Sequence, residues 1–326
     1  MSLKALTKRA AITTPTLALA MAGLAFTYSA NAEDGPAGTD IYLADLSKNT
    51  KGHYQLKNVK KITPRKGYDN QPSFLPDGKG LFYTAILPMK SGQWQADSFH
   101  YNFTSKKHTN LTNSDLSEYS PTLMANSKRF SAIVVEEDGK QLLWQLPYAP
   151  AAKQKKAGRL FDLDPVGYHV WGKQQDLAMF ILGPQNTLQY KTTVSAKAKI
   201  VAEDIGRSLR YVASRNSFSF SHNHKGKGKN KGKDSWWLSE YQPNDDKVTA
   251  LVPLPKGSDY YTWLNDETAV AAVKGVLHMW HYQRSASAGE PDWMPWVDLS
   301  GTCSTNISRL AVDKNQQRLA FVCDEQ

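Results

Sequence analysis

Three placements of histidine are the first residues in this chain whose chemistry asks for an account. His222 and His224 flank Asn223, His278 and His281 stand three residues apart, and His169 opens a run that continues to Trp171. Neutral imidazoles backed by carboxylates hold divalent metals well, so three of them on neighbouring strands could form a metal centre. In extended backbone alternate residues share a face. That rule puts His222 and His224 together and separates His278 from His281. His169, at the start of a strand, reads as a half-buried packing residue. The residues therefore assign no metal and no cofactor, with His169, His222 and His224 as the alternative ligand set. A serine-hydrolase reading fails, because no Gly-x-Ser-x-Gly elbow occurs.

Charge offers a second chemistry. Lys225, Lys227, Lys229, Lys231 and Lys233 alternate with Gly and Asn. Such a stretch cannot bury a core; it reads either as a solvated insertion or as an electrostatic arm for an acidic protein or anionic envelope polymer, an attraction that salt would weaken. Aromatic residues crowd the last third of the chain. Trp236 and Trp280 are expected in the core, and Trp293 and Trp296, among Pro291, Asp292 and Pro295, in an exposed loop.

The elements that must position these groups are strands. Gln71 to Leu75, the turn Pro76-Asp-Gly-Lys79 and the run Leu81 to Ile86 read as a hairpin. Degenerate versions start near Pro121, His169, Tyr211, Tyr261 and Arg309, at intervals of 42 to 50 residues. That is room for four short strands per unit, and recurrence of this length is typical of propellers rather than of a pair of β-sandwiches. The last unit stops after two strands. Thr39 to Leu46 and Val59 to Thr63 supply a third and a fourth from the other end of the chain. The expected fold is all-β: a six-bladed β-propeller of four-stranded blades, its ring closed by pairing N- and C-terminal strands, which removes open sheet edges.

The first 32 residues read as a cleavable signal peptide. Lys4, Lys8 and Arg9 precede an apolar stretch from Leu17 to Phe26, and Ser29-Ala-Asn-Ala32 offers the cleavage pattern. The stretch is too short, and too rich in small residues, to span a bilayer. The domain is then 33–326, with 294 residues and a formal charge of +7 out of the +10 of the whole chain. A basic surplus favours anionic partners, and export makes nucleic acid an improbable one. Cys303 and Cys323, in an oxidising compartment and without a Cys-x-x-Cys signature, are expected to form one disulfide stapling the ring closure.

Tyr68-Asp-Asn-Gln-Pro-Ser-Phe-Leu-Pro-Asp-Gly-Lys, Glu118-Tyr-Ser-Pro-Thr and Val166-Gly-Tyr-His-Val-Trp171 resemble the TolB-type propeller repeats of exported bacterial proteins. Only the first hairpin keeps the full Pro-Asp-Gly turn; later turns carry Asn126-Ser127, Lys173-Gln174, Arg215-Asn216 and Asn265-Asp266. TolB has an α/β domain before its propeller, whereas here the first strand begins about seven residues after the expected cut. The resemblance implies a periplasmic, monomeric, non-catalytic protein-binding module that meets an envelope partner at its funnel or at the loops of one face. Candidate binding residues are the five lysines together with Tyr68, Asp69 and Asn70 at a blade entrance, a segment that reads equally as a structural turn. Related propellers also occur as peptidase accessory domains and sugar-acid lyases, so the alternative is a metal-assisted lyase or hydrolase of an acidic glycan.

Overall fold

The computed structural model describes residues 35–124, 128–148, 157–224, 235–282 and 293–325. Among these, twenty-four strands form six four-stranded antiparallel sheets arranged as the blades of a ring. The expected six-bladed propeller is the fold. Among the described residues no helix is long and apolar enough to cross a membrane.

Each blade begins on the axis and runs outward. The inner strands of blades one to six are Asp69–Phe74, Ser117–Leu123, Val166–Trp171, Ile205–Val212, Tyr261–Asn265 and Ile307–Val312. The second strands read as unbroken apolar or small runs because both faces are covered. Leu177–Ile181 is buried throughout, as are Phe130–Val134 and Leu319–Cys323. The core is accordingly divided into six wedges, one between each pair of adjacent blades. Between blades one and two, for example, Phe82 and Phe130 are fully buried with ring centroids 5.5 Å apart. At about 25 cal/mol per Å² of apolar surface, such wedges hold the ring together.

Closure follows the expected scheme. Blade six takes its inner two strands from the C-terminal end and its outer two, Thr39–Lys48 and Tyr54–Lys61, from the N-terminal end. Tyr42 faces Phe321 across that junction, and the rings stack at 5.3 Å. The Cys303–Cys323 disulfide ties the second strand of the same blade to the preceding link, across 20 residues of sequence.

Inner strands are edge strands, which is why Pro72 and Pro121 fit in them without breaking a ladder. All six slip in register against their second strands, and in three the slip falls at one equivalent position. Gln71, Ser120 and Arg309 adopt positive φ of 59°, 54° and 48°, and the pairing slips beside each. Non-glycine residues rarely sit there, and bulges of this kind re-aim a side chain. All three side chains line the channel on the propeller axis.

Candidate binding site on the propeller axis

Gln71, Ser120, Tyr168, Arg207, Tyr260 and Arg309 come one from each blade at equivalent positions, and together they form the floor of an axial cavity of about 990 Å³. Arg309 closes it. From blade six it crosses the channel to donate to the Tyr168 hydroxyl on blade three, the blade opposite. Its guanidinium carbon lies 4.3 Å from the Tyr168 ring centroid and 4.9 Å from that of Tyr260, and Nη1 donates to the Arg207 carbonyl at 3.4 Å. A planar cation suits such stacking. Burial alone would lower its pKa; the surrounding tyrosines Tyr168, Tyr260 and Tyr68 more than offset that and raise it.

Above the floor the wall is aromatic and stiff. Phe74, Trp171, Tyr211 and Trp263 line it. Trp171 donates its indole N–H to Ser131 at 2.9 Å, and Trp263 donates to Ser219 at 2.8 Å. Arg210, between the two tryptophans in blade order, bridges three blades. Its Nε donates to Thr262 Oγ1 at 3.3 Å, Nη1 to the Leu209 carbonyl at 2.8 Å and Nη2 to the Leu310 carbonyl at 2.6 Å. Burial pushes the Arg210 guanidinium below its ordinary pKa. Farther out, Asp266, Glu267 and Asp313 stand at the rim with Lys314.

The histidines do not assemble. His169 lies in the inner strand of blade three with Nε2 2.7 Å from Ser131 Oγ, and burial lowers its pKa to about 3, so it is neutral at physiological pH. His222 and His224 share a side of their blade as alternation requires, with ring centroids 4.4 Å apart, and neither lines the axial cavity. Burial first, and His224 second, lower the His222 pKa to about 4. Among the described residues no group of three His, Cys, Asp or Glu side chains could hold a metal ion.

Tyr68, Asp69 and Asn70 do not line the cavity either. Asp69 and Asn70 are buried and belong to the ring closure. Arg65 donates to Asp69 Oδ1 from Nε at 3.1 Å and from Nη2 at 2.7 Å, while Asn70 Nδ2 donates to Thr39 Oγ1 at 3.2 Å. Burial raises the Asp69 carboxyl to about 7 against the pull of Arg65. Tyr68 is half-buried beyond the floor, and burial raises its hydroxyl. Lys225, Lys227, Lys229, Lys231 and Lys233 lie outside the described residues. Trp280 is buried and Trp236 packs on the same wedge, as expected. Trp296 is not in an open loop. It lies in the outer strand Met294–Asp298 and donates its indole N–H to the Tyr54 carbonyl at 3.0 Å, while Trp293, just before that strand, donates to the Pro253 carbonyl at 2.8 Å.

Comparison with solved structures settles the architecture. TolB from Acinetobacter baumannii superposes with a TM-score of 0.53 at 10% identity, over 89% of this chain and 64% of that one. A protein assigned as TolB from Agrobacterium tumefaciens gives a TM-score of 0.60 at 10% identity, over 90% of this chain and 100% of that one. The fold is that of the TolB-type propellers. An oligogalacturonate lyase from Vibrio parahaemolyticus shares the ring as well, with a TM-score of 0.53 at 8% identity over 86% of this chain and 91% of its own. At these identities the likeness is one of fold. This chain spans just under two thirds of the Acinetobacter TolB. No protein-family model matches the sequence, and no curated protein matches it.

Proposed function

We propose that this propeller is a non-catalytic binding module of the bacterial envelope, acting as a monomer in the periplasm, and that it takes a segment of a partner protein into the axial cavity. The observation that carries this reading is the cavity itself. Arg309 reaches across its base to Tyr168, it is walled by aromatic rings whose polar edges are pinned, and its one histidine is buried, neutral and bonded to Ser131. Concave, mostly apolar sites with a few fixed polar groups are suited to binding. General acid–base chemistry asks instead for a titratable pair in reach of one substrate atom. The lysine-rich segment, with Lys225, Lys227, Lys229, Lys231 and Lys233, would add a salt-sensitive attraction for an acidic partner.

The test is photocrosslinking in the envelope from a benzophenone amino acid at Gln316, at the cavity rim, with Ile200 on an outer strand as control. A discrete protein adduct from Gln316 and none from Ile200 is the expected outcome; equal labelling at both would remove the cavity from consideration. The glycan-lyase alternative predicts instead one tightly held divalent metal per purified chain and turnover of polygalacturonate that a chelator abolishes.

A further inference from the structure

The floor and the rim of the cavity differ in charge. Arg309 lies at the floor and Arg210 just above it, whereas Asp266, Glu267 and Asp313 stand four to seven positions beyond the floor residues of their own blades. The hydrogen bonds of both arginines go to neutral oxygens, and the half-buried Asp259 carboxyl lies within electrostatic reach of Arg309 and Arg207. Arg309 is bonded to the Arg207 carbonyl and the Tyr168 hydroxyl, and Arg210 to two carbonyls and the Thr262 hydroxyl. A guanidinium has five N–H donors and does not lose its proton in proteins. These contacts occupy two donors of Arg309 and three of Arg210. The orientation of both forks is set in advance, so little side-chain entropy is left to lose on binding.

We infer that Arg210 and Arg309 form a carboxylate subsite at the floor, for a single acidic group on a peptide seated in the cavity, either a C-terminal carboxylate or an Asp or Glu side chain. This rests on the reading of the cavity as a protein-binding site. A carboxylate accepting from a guanidinium makes a charge-assisted bond about twice as strong as a neutral one. Arg210 strengthens the case, because burial already disfavours its charge and an anion beside it restores what water would have supplied. At the rim Asp266 and Glu267 stand with Lys314, while Asp313 is buried and accepts from the Gln317 and Arg318 backbone N–H groups. A polyuronate carries a carboxylate on every sugar and would bring several of them past Asp266 and Glu267. A peptide with one acidic tip passes with less repulsion, and its apolar side chains can pack on Phe74, Trp171 and Trp263.

The test uses the full-length mature protein and four probes: acetyl-Gly-Ala-Phe as free acid, the same peptide as carboxamide, acetyl-Glu-Ala-Phe-carboxamide, and trigalacturonate. Binding is followed by the indole N–H resonances of Trp171 and Trp263, which flank the site. The expected result is that a carboxylate-bearing peptide shifts both resonances and binds at least about ten-fold more tightly than the plain carboxamide. Whichever acid wins, the C-terminal or the side-chain one, identifies the source of the group. Arg210→Met and Arg309→Met should each erase the preference. The acid-to-amide comparison on the unaltered protein stands even where a variant fails to fold. Equal affinity for acid and amide, no shift with any peptide, or tighter binding of trigalacturonate would overturn the inference. Rim crosslinks that persist alongside equal acid and amide binding would overturn the floor subsite alone, whereas loss of the rim crosslinks would take down the reading beneath it.

Discussion

Ser219 accepts the indole N–H of Trp263 across a blade boundary at 2.8 Å, and its side chain is completely buried. The same oxygen accepts the Tyr261 hydroxyl at 2.9 Å. One serine of blade four thus satisfies two aromatics of blade five, one of which walls the axial cavity. Ser131 holds Trp171 in the matching way from blade two to blade three.

Removing that oxygen strands two buried donors. Each buried donor left without a partner costs about 1–3 kcal/mol, so Ser219→Ala, stranding two, should lower unfolding stability by about 2–6 kcal/mol. Urea denaturation checks it: the midpoint should fall with an unchanged slope. A loss under about 0.5 kcal/mol would mean that the pair is not organised around this hydroxyl.

A second prediction concerns pH. Glu118 is 2% exposed; Ser114 donates to Oε1, and Oε2 has no partner. Burial raises its pKa from the ordinary 4.5 to about 7, against the Ser114 bond that lowers it, with Asp97 adding repulsion. The folded protein therefore prefers the protonated acid, while the unfolded chain ionises it at the ordinary value. Stability from this group is intact at low pH, falls between about pH 4.5 and about pH 7, and is flat above that. Glu118→Gln keeps an acceptor for Ser114 and removes the titration. Relative to the unaltered protein, the variant should gain on the order of 3 kcal/mol on going from pH 4.5 to pH 8. Unfolding midpoints of both proteins at the two pH values measure this, and parallel shifts would refute it.

What the sequence disclosed, and what it hid, follows from the range of the interactions. The blades were legible because strand alternation, turn residues and a recurrence near 50 residues are local signals. So was the closure, since the last unit visibly lacks two strands and the first residues supply them. His222 and His224 fall side by side as period-2 geometry demands. The floor was not legible. Arg309 and Tyr168 are 141 residues apart, on opposite blades, and nothing near either marks the meeting. The bulges were hidden too, because positive φ falls on Gln71, Ser120 and Arg309 rather than on glycine. Trp296 was misread through Pro295, which suggests a loop but is tolerated in the outer edge strand where it sits. The burial of Asp69 and Asn70 under Arg65 and Thr39 was not legible either, because Thr39 comes from the other side of the ring closure.

The disulfide gives a third prediction. Cys303 and Cys323 are joined, and Cys323 faces Asp40 of the first strand across the ring closure. For a loop of this size the chain-entropy model gives about 3 kcal/mol. The Cys303→Ala/Cys323→Ala double variant should lose about that much stability while keeping its strand content by circular dichroism. Thiol labelling of the unaltered protein without reductant should add no mass, and labelling of both cysteines would show that the bond does not form.

Arg215 supports the cavity rim from behind. It sits in the turn after the inner strand of blade four, and its Nε donates to Glu240 Oε2 at 3.0 Å while Nη2 lies 2.9 Å from the same oxygen. The guanidinium stacks 4.2 Å from the Tyr282 centroid and 4.9 Å from that of Trp263, and Nη1 donates to the Asp266 carbonyl. One side chain therefore neutralises a glutamate in blade four and packs on blade five. Side-chain exposure is 13% for Arg215 and 3% for Glu240, so neither charge is solvated well. Breaking such a pair from one side costs about 3–5 kcal/mol, because the remaining charge is buried without a partner. Arg215→Met should show that loss, and adding Glu240→Gln should recover a substantial part of it, since the stranded charge is then gone. Four unfolding curves complete the double-mutant cycle. Losses that simply add would mean that Arg215 stabilises the rim through its stacking on Trp263 and Tyr282 and not through its charge.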